Sequence, residues 1–521
     1  GGETAPDVDR AANLLNLVLD PNLRCIDFQH RHRIERAGRR SDVVRFFGNL
    51  AQEDVHLLLI NNANPVYALP QGGGITQAME RDRLFTVVFT PFMDETAALA
   101  DLIFPVSVPL ESWDEYSGKT GILSLLQPAM GTWRESPAVG DVMIKVALKK
   151  SATMPDYKTW LMDHFYRKEI VSGKGQWLQA VQKGGQFSKP LTQVTDPPQP
   201  MMVAPEFQQP ATNGDSSKKD DLHFIAVPSI RFFDGRGANR SWLCEIPDPL
   251  TKVAWQTTVM AHPETVTAVD AEHGDVVLIK TDSGQAEAIL YATEQVRPGT
   301  LVMAMGQGHT QLGRYAKHIG INPQVLLTPK LSSITGGPIF TANVTSLSVT
   351  DKHVPMAHTD GSRIQHGRKI ALSVTWDELH AHSQSGDTQS EKTHSGESGH
   401  AESLTMEGFP FTLPLKEGYD PKRDFYAAHK HDTYRWGMVV DLDKCIGCAA
   451  CGAACYAENN VPVVGKEFCA QGREMSWLRV QRYLEEDENQ PVSGFMPMMC
   501  QHCGNAPCEP VCPVYATYHS D

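Results

Sequence analysis

The cysteines of this chain are concentrated at one end, and their distribution strongly constrains what that end can fold into. Nine of the 11 cysteines lie after residue 444 of a 521-residue chain. A skew of this kind favours cofactor ligation over disulfides scattered along the chain. We therefore expect a ligand-rich module in the C-terminal part.

The first cysteine group has the spacing of bacterial ferredoxins. It reads C-x2-C-x2-C-x3-C, and the predicted ligands are Cys445, Cys448, Cys451 and Cys455. The residues between them are mostly small, so the backbone can wrap a cube of iron and sulfur and point its amides at the sulfurs. This spacing predicts a 4Fe-4S cluster.

The second cysteine group is a wider version of the same pattern. Its predicted ligands are Cys500, Cys503, Cys508 and Cys512, and the closing C-x3-C-P is intact. In two-cluster ferredoxins the fourth cysteine of such a run ligates the other cluster. One hypothesis is therefore a crossed pairing, in which each cluster takes three cysteines from one group and the fourth from the other.

Zinc and disulfides are the competing interpretations of these cysteines. A zinc site takes four ligands in total, usually from paired C-x2-C groups, whereas this chain has two groups of four. The spacing therefore favours iron-sulfur clusters. We expect Cys469, which lies outside both groups, to be a small buried side chain. We expect His502 to hydrogen-bond near a cluster rather than to ligate it.

Composition excludes some classes of partner. The formal net charge is −14, and no basic stripe is present to bind a phosphate backbone, so we expect no nucleic-acid partner. No run of about 18 apolar residues is present, so we expect no membrane span. The first residues lack both an apolar signal core and a Met, from which we expect that the chain starts within a longer protein.

Residues 1–185 are predicted to form an α/β domain. Short apolar runs at residues 55–61 and 84–89 are typical of buried strands. Helical patterns at residues 42–50 and 95–102 alternate with them. This alternation predicts a layer with a parallel sheet, whose ligands would bind at the carboxyl ends of the strands.

The remainder divides into further helices, a barrel, a cofactor module and two linkers. Residues 154–181 carry apolar positions at helical spacing, and residues 186–222 are predicted to be a linker or insertion. Residues 223–375 are Gly-punctuated and β-branched, which predicts a β-barrel. Residues 376–434 are predicted to be a flexible linker, whose His-rich part we interpret as a tether rather than a metal site. The predicted cluster module occupies residues 435–521.

The upstream segments resemble the molybdopterin oxidoreductase superfamily. In the α/β part the resemblance rests on residues 64–66, 91–96, 100–105 and 110–113. In the barrel, Trp255 and residues 247–249, 274–275 and 306–315 resemble the superfamily's C-terminal dinucleotide-binding domain. The resemblance implies a multidomain α+β chain, with a molybdopterin-oxidoreductase-like α/β domain, a dinucleotide-binding-like barrel and a ferredoxin-like iron-sulfur domain.

The barrel loop is the cofactor-binding candidate that this resemblance implies. Its residues are Gly306, Gly308, His309, Gly313 and Arg314. We interpret the loop first as a retained structural loop and second as a pterin-nucleotide site, because glycine amides and an Arg can cradle phosphates. In the superfamily the molybdenum ligands lie N-terminal to the first residue of this chain. The fusion of this part with a cysteine module also resembles alternative complex III, and that resemblance implies that molybdopterin is absent.

The C-terminal part resembles the four-cluster subunits that accompany such enzymes, with residues 472–479 preceding the second cysteine group. The fusion of both parts is similar to the large B subunits of alternative complex III, a quinol-oxidising bacterial respiratory complex. That family has two further cysteine groups, one of which can carry a 3Fe-4S cluster. Its pairing would send Cys455 and Cys512 to ligand sets outside this chain, so the crossed pairing and the family pairing both remain open.

The resemblance implies an electron-transfer subunit with no catalytic residue of its own. Electrons would pass through the clusters to a cytochrome c or an oxidase, and the partners would be membrane subunits and c-type cytochrome subunits. The implied location is the periplasmic face of the bacterial inner membrane. One alternative is a molybdopterin enzyme of the polysulfide, thiosulfate or dimethyl sulfoxide reductase type. Another is a scaffold whose clusters carry no current.

Overall fold

The chain forms two compact units in a computed structural model. The first comprises Gly1–Glu245 and Val253–Ala357, and the second comprises Ile246–Lys252 and His358–Asp521. The structure describes residues 14–20, 31–34, 37–50, 54–70, 74–148, 156–187, 222–329, 331, 337–359, 361–366, 404–406, 409–411, 440–487, 490–501, 503 and 506–518. Most of the predicted linker 186–222, the His-rich tract and His502 lie outside these ranges.

A three-stranded parallel sheet forms the α/β part of the first unit. Its order is β1-β2-β3, from strands Leu57–Asn61, Phe85–Thr90 and Leu102–Pro105. The central strand is buried along most of its length, as expected for a strand covered on both faces. Three helices accompany the sheet: α1 (Arg40–Leu50), α2 (Pro65–Ala68) and α3 (Ile75–Met79). The parallel sheet predicted from the apolar runs is confirmed.

Residues 95–102 do not form the predicted helix. They contain only the 3-10 turn Ala97–Leu99, whose first amide donates to Asp94 Oδ1 at 2.8 Å. Strand β3 then begins at Leu102, which pairs with Val87 of β2. The prediction was wrong because pairing with a neighbouring strand outweighs a short local helical preference.

The parallel arrangement also ends before residue 114. Strand β5 (Ile122–Leu126) pairs antiparallel with β4 (Asp114–Lys119) on one side and with β6 (Gly185–Phe187) on the other. These strands form a second, antiparallel sheet. The predicted α/β layer with a parallel sheet did not include it. Its third strand arrives about 60 residues later in the chain, so no local pattern could show the pairing.

Three helices follow in the chain, of which the last two pack against this second sheet around Leu125 and the first packs against Val87 and Phe89 of β2. They are α4 (Val139–Leu148), α5 (Tyr157–Arg167) and α6 (Lys174–Lys183). Helix α5 starts where Asp156 Oδ1 accepts the amide of Thr159 at 2.7 Å, a standard N-cap. The last two helices confirm the helical prediction for residues 154–181.

The predicted barrel is confirmed. Six strands close in the order β10-β8-β11-β7-β12-β9. Alternate side chains face a common core, in which Phe224, Ile279, Leu290, Leu301 and Met303 are fully buried. The strands are β7 (His223–Val227), β8 (Thr258–Ala261), β9 (Asp275–Thr281), β10 (Gln285–Ala292), β11 (Thr300–Ala304) and β12 (Thr341–His353), with helices α7 (Ser241–Glu245), α8 (Pro263–Thr267) and α9 (Gly313–Ala316) between them.

The second unit holds both cysteine groups. Inside the predicted linker 376–434 it has a short hairpin of β13 (Leu404–Met406) and β14 (Phe409–Phe411). A longer hairpin follows, from β15 (Leu478–Asp487) and β16 (Gln490–Met499), together with helices α10 (Ala450–Glu458) and α11 (Lys466–Ala470). The domain boundaries drawn from the sequence stay predictions. None of the helices in the described ranges is long and apolar enough to cross a membrane.

Candidate functional site

The first cysteine group lies in a loop that runs into helix α10. Backbone turns in the left-handed region occur at Gly447 (φ 69°) and Ala449 (φ 57°), between the cysteines. Glycine adopts this conformation without strain, whereas Ala449 needs support from its surroundings. These turns let the chain curl back on itself between Cys445 and Cys451.

Three sulfurs of this group lie within electrostatic range of one another. Burial raises the pKa of the Cys451 thiol, and the neighbouring Cys448 and Cys445 raise it further. The fourth, Cys455, lies one helical turn beyond Cys451 on the same helix face. Its sulfur accepts the side-chain amide of Asn459 at 3.5 Å. The local fold therefore places the first group along one loop and the helix that follows it.

The second group follows strand β16 and is more open. Cys500, Cys503 and Cys508 are exposed. The sulfur of Cys512 accepts the backbone amide of Ala516 at 3.2 Å. Backbone amides, with that of Ala516 first, lower the pKa of this thiol. Amides aimed at a sulfur are the environment that a ligating thiolate needs.

The chemistry of these donors fits thiolate ligation of iron. All eight predicted ligands are free thiols, and the amides around Cys512 favour the charged form of its sulfur. Among the described residues, however, no three His, Cys, Asp or Glu side chains converge as a metal site. Both pairing hypotheses remain open. Cys469 is 5% exposed, in agreement with the buried side chain that the sequence predicted.

The glycine loop of the barrel lies between β11 and α9. Three of its glycines have positive φ: Gly306 (109°), Gly308 (82°) and Gly313 (64°). At Gly308 an added Cβ would lie 2.0 Å from the backbone nitrogen of Asn322. The loop is therefore packed directly against another backbone segment, and glycine at this position is a structural requirement.

His309 points inward from the loop. Its ring stacks on that of Tyr67, with centroids 3.7 Å apart. Its Nε2 lies 3.1 Å from the carbonyl oxygen of Gly235, and its Nδ1 lies 3.2 Å from both carboxylate oxygens of Glu95. The ring of His309 is therefore held between the carboxylate of Glu95 and the carbonyl oxygen of Gly235.

The carboxylate of Glu95 accepts hydrogen bonds from the backbone amides of the glycine loop. The backbone amides of Thr310 and Gln311 donate to its Oε1 at 2.6 and 3.2 Å, and Asn64 Nδ2 donates to its Oε2 at 2.7 Å. Burial opposes its ionisation, but the hydrogen bonds from His309 and Asn64 outweigh burial and lower its pKa to about 2. Glu95 is therefore a fixed, buried carboxylate.

Tyr67 completes this cluster. Its hydroxyl donates to the carbonyl of Gln307 at 2.8 Å, and its own carbonyl accepts Asn322 Nδ2 at 3.1 Å. Burial, and then the charge of Glu95, raise its pKa. The sequence motifs contain Glu95 and His309 separately and do not show their contact, and no motif singles out Tyr67. Glu95 and His309 are more than 200 positions apart, so no local signal could have found the cluster.

The loop amides of Thr310 and Gln311 do not fit a phosphate as the structure stands, because Glu95 already accepts from both. Arg314 is exposed, and its guanidinium lies 4.6 Å from the ring centroid of Tyr315. The geometry matches the interpretation of the segment as a structural loop. A nucleotide-binding role for Gly306, Gly308, His309, Gly313 and Arg314 stays a prediction.

The fold agrees with a comparison to protein families. Residues 247–344 match the family described as molydopterin dinucleotide binding domain. The match covers most of the barrel. This match points toward molybdopterin, against the expectation that the cofactor is absent. That expectation remains a prediction.

The chain is related to molybdopterin-type and iron-sulfur subunits of reductase complexes. It is 26% identical to the molybdopterin-binding-like subunit of menaquinone reductase from Nitratidesulfovibrio vulgaris, over 54% of this chain and 40% of that protein. It is 38% identical to the iron-sulfur cluster-binding subunit of the same enzyme, over 18% of this chain and 36% of that protein. It is 37% identical to the electron transfer subunit of thiosulfate reductase from Salmonella typhi, over 18% of this chain and 43% of that protein. The chain thus spans less than half the length of each of these relatives.

Proposed function

We propose that this chain is the electron-transfer subunit of a membrane-associated respiratory complex that oxidises quinol, of the alternative complex III kind. One observation carries the proposal. Two ferredoxin-type cysteine groups share a polypeptide with a molybdopterin-type barrel. In Nitratidesulfovibrio vulgaris, the matching parts are named as two separate subunits of one menaquinone reductase.

The role of the chain is to hold and tune one-electron carriers. A 4Fe-4S cluster bound by cysteines supplies reversible one-electron transfer near the potentials of respiratory carriers. The first group provides thiolates on a left-handed turn and on helix α10. The second provides Cys512, whose sulfur accepts a backbone amide. In this proposal the residues bind the clusters, orient them and shield them from water, and no bond of a substrate is broken on this chain.

The direction of flow and the partners are part of the proposal. Quinol is oxidised in membrane subunits, and electrons leave through a c-type cytochrome or an oxidase at the periplasmic face of the inner membrane. The name of the relative states that it reduces menaquinone, which is the opposite direction. A cluster relay can run either way, and the partners' potentials set the direction.

A second candidate function is that of a molybdopterin reductase component. The match of residues 247–344 to the molydopterin dinucleotide binding domain favours it, as does the similarity to parts of tetrathionate and thiosulfate reductases. The carboxylate of Glu95 on the loop amides argues for the relay. Molybdenum and pterin analysis of the purified complex separates the two, and stoichiometric molybdenum would overturn the relay as stated.

The relay is tested by replacing single predicted ligands in the complete complex. We expect Cys448→Ser and Cys503→Ser each to remove or convert one cluster and to slow quinol-driven reduction of cytochrome c. Low-temperature EPR and iron and sulfide analysis would measure the cluster content, and stopped-flow absorbance would measure the rate.

Cys469→Ala is the matched control. This cysteine is buried in the same unit but lies outside both groups. We expect it to leave the EPR spectrum unchanged. An unchanged spectrum in the Cys448 variant would instead refute the ligand assignment, and full cluster reduction without electron transfer to an acceptor would favour the scaffold.

A further inference from the structure

Two cations are buried in the unit that carries the cysteines. Lys252 is 3% exposed and Arg482 is fully buried. Both bind backbone oxygens: Lys252 Nζ donates to the carbonyl of Val480 at 2.5 Å, and Arg482 Nη1 donates to the carbonyl of Leu250. A buried Lys or Arg is uncommon, because taking a charge out of water is costly. Their burial here needs an explanation.

Lys252 is held in position by its own turn. The carboxylate of Asp248 accepts the amides of Leu250 and Thr251 at 3.0 and 2.9 Å, which forms an Asx-type turn. Lys252 then adopts φ 57°, a left-handed conformation unusual for a lysine. Its carbonyl accepts the amide of Thr359 at 3.1 Å. The segment Ile246–Lys252 thus belongs to the second unit and presents its cation to strand β15.

Arg482 is linked to the first cysteine loop through the β15–β16 hairpin. In the hairpin it pairs directly with Phe495 of β16. Residues directly opposite each other in an antiparallel pair have side chains on the same face of the sheet. The ring of Phe495 packs against Gly447, where an added Cβ would lie 2.5 Å from Cδ1. Gly447 is the residue immediately before Cys448. Arg482 therefore shares a sheet face with the ring that supports the first cysteine loop.

The same strand contacts the helix that bears the other two ligands of that group. Helix α10 packs against β15, and an added Cβ at Gly452 would lie 3.4 Å from the carbonyl oxygen of Leu478. Val480, which accepts from Lys252, is two residues along from Leu478. Arg482 thus lies on β15 and Lys252 is hydrogen-bonded to it, and this strand packs against helix α10 and pairs with β16, whose Phe495 contacts the cysteine loop. Burial raises the pKa of Glu474, and Arg479 and Lys252 oppose this in part, so the carboxyl of Glu474 lies within electrostatic range of Lys252.

We propose that Lys252 and Arg482 tune the cluster held by the first cysteine group, raising its reduction potential. They are positioning residues, which act on the cluster through the electric field and do not ligate it. The inference rests on the proposed function, since it needs a cluster at these cysteines. It adds a task for residues that lie outside both cysteine groups, one of them within the barrel's family match.

The physical reason is that a reduced cluster carries one more negative charge than an oxidised one. A fixed cation stabilises the reduced state more, and this effect is large where water is excluded and salt screening is small. Cluster potentials respond to nearby charge and to burial. Removing either cation therefore makes the cluster harder to reduce, whichever other contacts the side chain makes.

The test is an EPR-monitored redox titration of the complete protein, purified without oxygen. We expect Lys252→Met and Arg482→Met to shift the midpoint potential of one cluster to more negative values, and Lys252→Arg and Arg482→Lys to restore it toward wild type. Lys444→Met is the matched control, since Lys444 adjoins Cys445 but its side chain is 84% exposed. Its shift is expected to be smaller because water screens it.

The outcomes separate this inference from the proposed function. If the wild-type protein contains no iron and sulfide, the relay itself fails. If clusters are present at full occupancy and both Met variants keep the wild-type midpoint, the relay stands and the tuning role is wrong. If Lys444→Met shifts the potential as much as Lys252→Met, burial is not the cause and the inference is also overturned.

Discussion

At the scale of single residues, several charges are kept away from water. Glu95 and His309 pair in the first unit, with side chains 9% and 1% exposed, and Lys252 and Arg482 are buried in the second. A buried pair gives little net stability compared with an apolar pair, but breaking one is costly because a charge is left without its partner. Such residues therefore fix the relative positions of the segments that they join more than they add to the free energy of unfolding.

Glu95 provides a prediction at this scale. Glu95→Ala leaves two loop amides without their acceptor and the buried ring of His309 without its carboxylate partner, so we expect the first unit to lose about 3–5 kcal/mol of unfolding free energy. Urea unfolding followed by fluorescence would measure it. Glu287→Ala is the control, because it removes an exposed pair with Lys352 and is expected to cost about 0–1 kcal/mol.

The effect of Glu95 depends on pH in a definite direction. Its pKa falls on folding from 4.5 to about 2. Its contribution is therefore complete above pH 4.5 and is lost as the pH falls from 4.5 toward 2. The stability difference between wild type and Glu95→Ala should shrink over this acid range. A difference that stayed constant down to the lowest measurable pH would contradict the assigned ionisation.

At the scale of elements, tight loops carry the constraints. The barrel loop after β11 and the cysteine loop before α10 both contain residues with positive φ angles. Both also pack closely against another segment of the same chain. In the first case the neighbour is the backbone at Asn322, and in the second it is the ring of Phe495. Strands and helices could accommodate many sequences, whereas these loops require particular residues.

Gly308→Ala is the prediction for this scale. At φ 82° and with a new Cβ 2.0 Å from a backbone nitrogen, alanine forces either strain or a backbone shift. We expect a loss of at least about 2 kcal/mol in unfolding free energy. Gly173→Ala is the control, since nothing lies within 4 Å of its added Cβ. Equal melting temperatures for the two variants would show that the close approach is not a constraint.

At the scale of the whole molecule, the second unit is discontinuous in sequence. It takes Ile246–Lys252 from the middle of the chain and combines that segment with the C-terminal residues. Two hydrogen bonds join upstream residues to strand β15. Lys252 Nζ donates to the carbonyl of Val480, and the amide of Leu484 donates to the carbonyl of Arg363 at 2.7 Å. The cysteine module is thus completed by residues upstream of the predicted linker.

A fragment that starts at residue 376 should therefore be impaired. It contains all eight predicted ligands but lacks both Lys252 and Arg363. We expect it to retain fewer clusters than the complete chain after anaerobic reconstitution and to melt at a lower temperature. Iron content and circular dichroism would measure this. A fragment equal to the complete chain in both respects would show that the upstream segment is dispensable.

Local sequence patterns predicted the kind of chemistry and much of the architecture. Ligand spacing depends on residues close together in the chain, so Cys445 to Cys455 could be predicted as ligands from the pattern alone. Apolar periodicity likewise predicted the barrel and the strands near residues 55–61 and 84–89, because alternation reflects burial on one face or both.

The remaining features depend on contacts between segments that are distant in the chain. Residues 95–102 form a turn and a strand because β2 lies beside them, and Glu95 meets His309 across 214 positions. The burial of Lys252 and Arg482 also depends on segments that are distant in the chain. Contacts of this kind come from packing between elements, which no local pattern encodes, and they fix the buried charges of each unit.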